Sequence, residues 1–362
     1  MAFSPVPVES KNQIRKAGEI LVKSLHDDDF EKFFFNKEWD WAWNLVNKWR
    51  SCHAYPINTF QATLRNNTRQ YKDPIIAQRL KRMPTIVDKL ARYPAMNLLT
   101  MQDIGGVRAV LGSIKDVEAL VHTYKTNKNL THELMGEGKN YIQSPRDEDG
   151  YRSIHLIYKY VNKRNPEYDG LKVELQVRTK LQHTWATAVE TMSTFLGQAL
   201  KSRKGDKEWL DFFAITSSAF AYMEKTPRVP RFSHLSEGGT YKAIAAAEAR
   251  IRALERMRGF SVAVEHISKT KGSKERGFYH LIILNSMEKT VKVKPYKRDS
   301  FNIAMADYSK YEEEAAKEGT KIEPVLVSAG TLDGIKHAYP NFFLDIREFT
   351  AIVENIVKKA AI

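Results

Sequence analysis

Residues 171–196 change period in mid-stretch, and that change limits the folds open to the chain. In LKVELQVRT, Val173, Leu175 and Val177 alternate with Glu174, Gln176 and Arg178. A strand over 171–178 therefore sends the apolar set to one face and the polar set to the other. From residue 180 the apolar residues Leu181, Trp185, Val189, Met192 and Leu196 fall at helical spacing, which predicts a helix over 180–200. His183 and Glu190, seven apart, share roughly one face of it.

Similar patterning extends in both directions. Residues 10–50 read as helix, with Trp39 and Trp43, and Trp41, Leu45 and Trp49, at i,i+4 spacing; such aromatics are core packing more often than ligand sites. A basic helix is expected over 74–92, carrying Arg79, Lys81, Arg82, Lys89 and Arg92, then a strand at GGVRAVLG, a helix near 115–127 and a strand at 153–161. Two prolines and two glycines at 226–240 mark a linker. An Ala-rich helix over 241–258 follows, and GFSVAVEHI, FYHLIILN and TVKVKPY read as an antiparallel meander. A helix over 300–318, a strand at IEPVLVS and helical segments complete the 362 residues.

Lys and Arg number 57 against 43 acids, a net charge of +14. The excess is spread out: residues 231–362 carry 22 basic and 17 acidic side chains, residues 1–230 carry 35 and 26. Such a field suits phosphate-rich partners, nucleotide or nucleic acid, although a basic surface that binds nothing has the same composition. One cysteine, Cys52, excludes an internal disulfide and a multi-cysteine zinc site. Without an apolar run of about 18 residues or a charged N-terminal region leading into an apolar one, a cytoplasmic protein with no membrane partner is expected.

Chemistry concentrates at a few places. Asp103 stands at a loop-to-strand entry and Glu174 on a polar strand face. Acids on neighbouring strands suit Mg2+ shared with substrate phosphates, while salt-bridged surface acids are the plainer reading of each alone. Arg108, Arg178, Arg69, Lys72, Arg79 and Lys81 supply cations of the kind that phosphoryl transfer needs. SPRDEDGYRSIH, 144–155, crowds acids, a glycine bend, Tyr151 and basic residues ahead of an apolar run. The chain lacks G-x-x-x-x-G-K-[ST], H-E-x-x-H and G-x-S-x-G, and DED at 147–149 has no Gly-Ser ahead of it, as a template-independent nucleotidyltransferase would require.

QDIGGVRAV (102–110), DGYRSIHLIY (149–158) and VELQVRTKLQHTWA (173–186) resemble, in order and spacing, the signature blocks of the RelA/SpoT synthetase domain over roughly residues 40–225. The resemblance implies an α+β, nucleotidyltransferase-like mixed sheet wrapped by helices, and transfer of the β,γ-pyrophosphate of ATP to a 3′-hydroxyl with release of AMP. It implies that Asp103 and Glu174 bind Mg2+, with Glu174 also able to take the acceptor proton. It implies that Arg108 assists catalysis and Arg178 contacts ATP. Tyr151 would stack on the acceptor base, with Arg146, Arg152 and His155 around it, the loop acids staying mostly solvated. Glu190 matches the acid after WA. RQYKDPIIAQRLKR follows the family pattern Arg-x-Lys…Ser-Ile-x-x-Lys-Leu only loosely and lacks its serine; Arg69, Lys72 and Arg79 are assigned there.

His26–Asp27 has too few residues around it for the metal-dependent hydrolase domain of longer members, so control is expected from the C-terminal part. HAYPNFFLDIREF, 337–349, resembles the appended domain of toxic small alarmone synthetases of the CapRel type, a small α/β domain like a cysteine-free zinc finger. That second resemblance implies domains at 1–230 (pyrophosphokinase), 231–259 (linker and connecting helix) and 260–362 (antitoxin-like regulator). It further implies Tyr339, Phe342 and Phe343 as regulatory residues, a sensed phage protein, and pyrophosphorylation of the tRNA 3′ end. The same aromatics suit a core or interdomain anchor. A synthetase using free GDP or GTP, and an inactive RNA-binding or phage-sensing module, are the competing readings.

Overall fold

The computed structural model describes residues 3–24, 37–81, 83–127, 129–196, 206–269, 279–285, 288, 290–315, 322–328 and 342–361. The chain forms two compact units: Met1–Tyr141 with Ser153–Lys180, and Ile142–Arg152 with Leu181–Ile362. Among the described residues no helix is long and apolar enough to cross a membrane.

The first unit begins with α1 (Lys11–Lys23), α2 (Lys37–Cys52) and α3 (Ala54–Thr68). Ser10 opens α1 with a capping box, exchanging bonds with Gln13. Then come β1 (Ile75–Leu80), α4 (Met83–Arg92), β2 (Gly105–Leu111), α5 (Ile114–Thr126), the short β3 (Glu133–Leu134) and β4 (Lys139–Asn140), β5 (Ile154–Lys159) and β6 (Lys172–Thr179). The mixed sheet runs β1-β2-β6-β5-β3, with β4 also on β5, and only β2 and β6 are parallel. Its apolar face carries Val107, Ala109, Leu156, Val173, Leu175 and Val177, and α3 and α5 pack on the sheet. A separate core joins α1, α2 and α4 through Ile14, Leu21, Leu45, Ile86 and Leu90, with Trp39, Trp41, Trp43 and Trp49 against it.

The basic helix expected over 74–92 is instead two elements, β1 and α4. The β-branched pair Ile75–Ile76 ladders antiparallel onto β2, and Pro84 tolerates only the first turn of a helix, so α4 starts at Met83.

In the second unit α6 (Lys180–Phe195, from Leu181 on) precedes α7 (Lys207–Glu224), α8 (Glu237–Ile251) and α9 (Ala253–Lys269). A three-stranded antiparallel sheet follows, β8-β7-β9, from β7 (Tyr279–Asn285), β8 (Thr290–Tyr296) and β9 (Ile322–Ser328). Helix α10 (Phe301–Ala315) connects β8 to β9, and α11 (Phe342–Ala360) ends the chain. The core gathers Trp185, Phe212, Phe213, Phe220, Ile244, Phe260 and Phe349.

GFSVAVEHI, expected as a strand, lies inside α9. Met257, Phe260 and Ala263 are buried at three-residue spacing, and no proline interrupts the run from Ala253, so the helical period wins. β9 supplies the third strand of the sheet. The expected linker at 226–240 is also structured: Val229 is fully buried, its N–H bonds to Ser218, and α8 starts at Glu237. Helices α3 and α7 fall in stretches for which the sequence pattern predicts no element.

Candidate functional site

Register fixes the polar face of the first unit. Arg79 pairs with Gly106 and Gly106 with Glu174; Ala77 pairs with Arg108, Arg108 with Gln176 and Gln176 with His155; Val110 pairs with Arg178. Paired residues share a face, so Arg79, Arg108, His155, Glu174, Gln176 and Arg178 stand on one side of the sheet. Opposite Glu174 the chain has no side chain: a Cβ on Gly106 would meet the Glu174 carbonyl oxygen at 3.1 Å.

Each oxygen of the two carboxylates has a polar partner within 2.8 Å. Asp103 receives Lys81 Nζ at 2.8 Å on Oδ2 and Lys89 Nζ at 2.8 Å on Oδ1. Burial alone would raise its pKa, but the two ammonium groups outweigh it and hold the carboxyl at about 2. Burial pulls Lys81 below its ordinary value, against the opposing pull of Asp103. Glu174 meets His155 Nδ1 at 2.8 Å on Oε1 and accepts Gln176 Nε2 at 2.7 Å on Oε2. Burial pushes Glu174 up, His155 pulls it further down, and the charge of Asp103 pushes it up again. Arg108 Nε donates to Gln176 Oε1 at 3.4 Å, and Arg178 is buried.

Arg69 and Lys72 fall in the exposed turn between α3 and β1, while Lys81 and Lys89 are the cations on Asp103. Lys89 and Gln176 are the members that reading the sequence for function passed over. A signal for Lys89 was present: Arg79-Leu80-Lys81 and Ile86-Val87-Asp88-Lys89-Leu90 carry the Arg-x-Lys and Ile-x-x-Lys-Leu spacings of the pattern quoted above.

The loop around Tyr151 belongs to the second unit. Arg146 clasps Asp149 through Nε at 3.1 Å and a terminal nitrogen at 2.5 Å, and its guanidinium carbon stands over the Tyr151 ring, 4.4 Å from the centroid. Asp149 also accepts the Tyr151 N–H at 3.0 Å and is 3% exposed. The expectation of mostly solvated loop acids therefore fails at Asp149, because a bidentate arginine and a backbone donor compensate its burial. Gly150 has φ +77°, and a Cβ there would come within 2.8 Å of Ala214 Cα. Arg152 is buried and donates to Ser217 Oγ at 3.0 Å, Thr226 Oγ1 at 2.7 Å and the Pro227 carbonyl. Those bonds tie the loop to α7 and to residues 226–227, in place of the expected acceptor contact. Burial lowers the Arg152 pKa to about 10.

Tyr339, His26 and Asp27 lie outside the described residues, and Phe342 and Phe343 open α11. Among the described residues no three His, Cys, Asp or Glu gather into a metal-binding group. Asp103 and Glu174 still offer the hard oxygen donors that Mg2+ takes when substrate phosphates complete its shell.

Glu174 on the mixed sheet, Asp103 at the entry to β2, and the lysines and arginines beside them make a centre suited to polyphosphate chemistry. Residues 78–195 match the family described as "Region found in RelA / SpoT proteins". It is similar to GTP pyrophosphokinase YwaC of Bacillus subtilis, 32% identical over 115 residues that cover 30% of this chain and 52% of that protein. It is also similar to GTP pyrophosphokinase YjbM of the same organism, 28% identical over 120 residues, 33% of this chain and 55% of that one. The match thus spans about half the length of these relatives. Among solved structures, small alarmone synthetase 2 from Bacillus subtilis aligns at 23% identity over 50% of this chain and 94% of that one, with a TM-score of 0.40.

Proposed function

We propose that this chain is an ATP-dependent pyrophosphokinase. A 3′-hydroxyl attacks the β-phosphorus of ATP, the bond from that phosphorus to the α,β-bridging oxygen breaks, and AMP leaves. Glu174 on the same sheet face as Arg79, Arg108 and Arg178, with Asp103 at the entry to β2, all within the region matched to RelA/SpoT proteins, is the observation that carries this reading. Glu174, ionised and oriented by His155 and Gln176, takes the hydroxyl proton. Asp103 and Glu174 would hold Mg2+, which supplies Lewis-acid neutralisation of the phosphoryl oxygens. Lys81 and Lys89, which pair with Asp103, are placed to meet phosphate oxygens; Arg79, Arg108 and Arg178 add positive charge on one face of the sheet. Arg146 and Tyr151 contact the acceptor base, for which stacking on an aromatic is worth about 1–3 kcal/mol.

The acceptor we favour is the tRNA 3′ end, on the strength of a net charge of +14 spread along the chain. The names of the curated relatives favour a guanine nucleotide instead. Residues 260–362 are the proposed restraint and sensor, with a phage protein as the sensed partner, on the resemblance of HAYPNFFLDIREF and the size of this C-terminal part. Incubation with γ-labelled ATP and deacylated tRNA, GDP or GTP separates these readings. Label on tRNA with AMP release supports the favoured one. Label on GDP or GTP alone replaces it with alarmone synthesis, and no transfer to any acceptor defeats the enzyme reading.

A further inference from the structure

The loop of residues 144–152 takes its shape from side chains that lie outside the region matched to RelA/SpoT proteins. That region ends at residue 195, yet the anchors of the loop come from 211–231. Ser217 Oγ donates to the Gly150 carbonyl at 2.6 Å and accepts Arg152 Nε at 3.0 Å. Arg231 takes hold of the acidic turn: its backbone N–H donates to Asp147 Oδ1 at 2.7 Å, and a terminal guanidinium nitrogen donates to the Glu148 carbonyl at 3.1 Å. The other terminal nitrogen meets Asp211 Oδ1, on α7, at 2.5 Å. Arg231 therefore bridges α7 and the turn, and Asp211 aims it.

Position 150 leaves the turn little room to adjust. Gly150 sits at φ +77°, and Ala214 and Ser217 fill the space where a side chain would go. Restraint at 147–148 thus carries directly into 149–151, where Asp149 holds Arg146 over the Tyr151 ring. Ser217 is 1% exposed, whereas the Arg231 side chain keeps 29% exposure. Arg231 is the part of the clamp that can be altered with the least damage to the core.

We propose that Arg231 is a positioning residue for the acceptor: by clamping the turn at Asp147 and Glu148 it sets where Arg146 and Tyr151 meet the acceptor base, and it leaves ATP binding alone. This rests on the reading of 144–152 as the acceptor loop. Geometric precision of this kind matters because a displacement of about 1 Å in a positioning group can cost roughly a hundredfold in rate.

The test uses the full chain with Arg231→Ala, Arg231→Lys and Asp211→Asn, and two readouts: amide hydrogen exchange at 147–151 and the KM values for ATP and for GDP or deacylated tRNA. Arg231→Ala, which removes the bonds to the Glu148 carbonyl and to Asp211 and keeps the backbone N–H on Asp147, is expected to speed exchange at 148–151 by roughly tenfold and to raise the acceptor KM by roughly tenfold, with the ATP KM within about twofold. Arg231→Lys, which keeps one donor, should fall between, and Asp211→Asn should move the same quantities by less. Unchanged exchange overturns the proposal, and so does an acceptor KM that stays put or rises together with that of ATP. A wild type that transfers to neither acceptor, while exchange still quickens in Arg231→Ala, supports the clamp and defeats the function reading instead.

Discussion

His155 Nδ1 lies 2.8 Å from Glu174 Oε1, across the antiparallel pair β5 and β6. The contact is diagonal, since His155 is directly opposite Gln176, and Gln176 holds the second Glu174 oxygen. One carboxylate is thereby fixed in rotamer and favoured in its charged form. Glu174→Gln keeps the shape and removes the base, so transfer should fall by at least about a hundredfold. The check is the labelled-ATP assay, with circular dichroism showing the fold retained. Activity within a few-fold of wild type would return the chain to the non-catalytic readings.

Metal should bind poorly before nucleotide. Lysines contact both Asp103 oxygens, and His155 and Gln176 those of Glu174, so a cation must compete with a partner at each oxygen and with the charge of the two lysines. Substrate phosphates that attract Lys81 and Lys89 offset that cost. Mg2+ alone is expected to leave the melting temperature almost unchanged, and Mg2+ with a non-hydrolysable ATP analogue to raise it. Chelation should abolish transfer and added Mg2+ restore it.

Acid should weaken the first unit in two steps. Burial holds His53 at about 4, below its ordinary 6.5, so the unfolded chain takes up that proton first and stability declines as pH drops from 6.5 to 4. Asp103 lies at about 2 against an ordinary 3.8; its contribution is present above 3.8 and lost as pH falls through 2. That second step is worth on the order of 2 kcal/mol. Urea titrations across pH 7 to 2 follow both, and Asp103→Asn should shrink the lower one, leaving the part contributed by Glu174, whose pKa is also lowered.

Gly150→Ala should destabilise the protein by about 1–3 kcal/mol. The substitution forces a side chain into φ +77° and into contact with Ala214 and Ser217. Thermal denaturation measures it. A melting temperature equal to wild type would mean that the loop is not seated on α7 as described.

Alternation in LKVELQVRT was enough to put Glu174, Gln176 and Arg178 on one face, and β6 shows that face. The helical stripe after it, the strand at 105–111 and the helix at 114–126 were equally legible, because each follows from one-sided burial of a regular element. Periodicity misled where two periods compete: GFSVAVEHI alternates locally, but Met257, Phe260 and Ala263 bury a helical face.

The sequence by itself determined the strand faces and, through its motifs, which two acids to single out. Only the tertiary structure decided who holds them. Lys89 reaches Asp103 because α4 and the entry to β2 are brought side by side, and Asp149 is buried because Arg146 closes on it in a turn seated against α7. Ion pairs and loop anchors depend on the path of the chain between residues far apart in number, and no periodicity records that path.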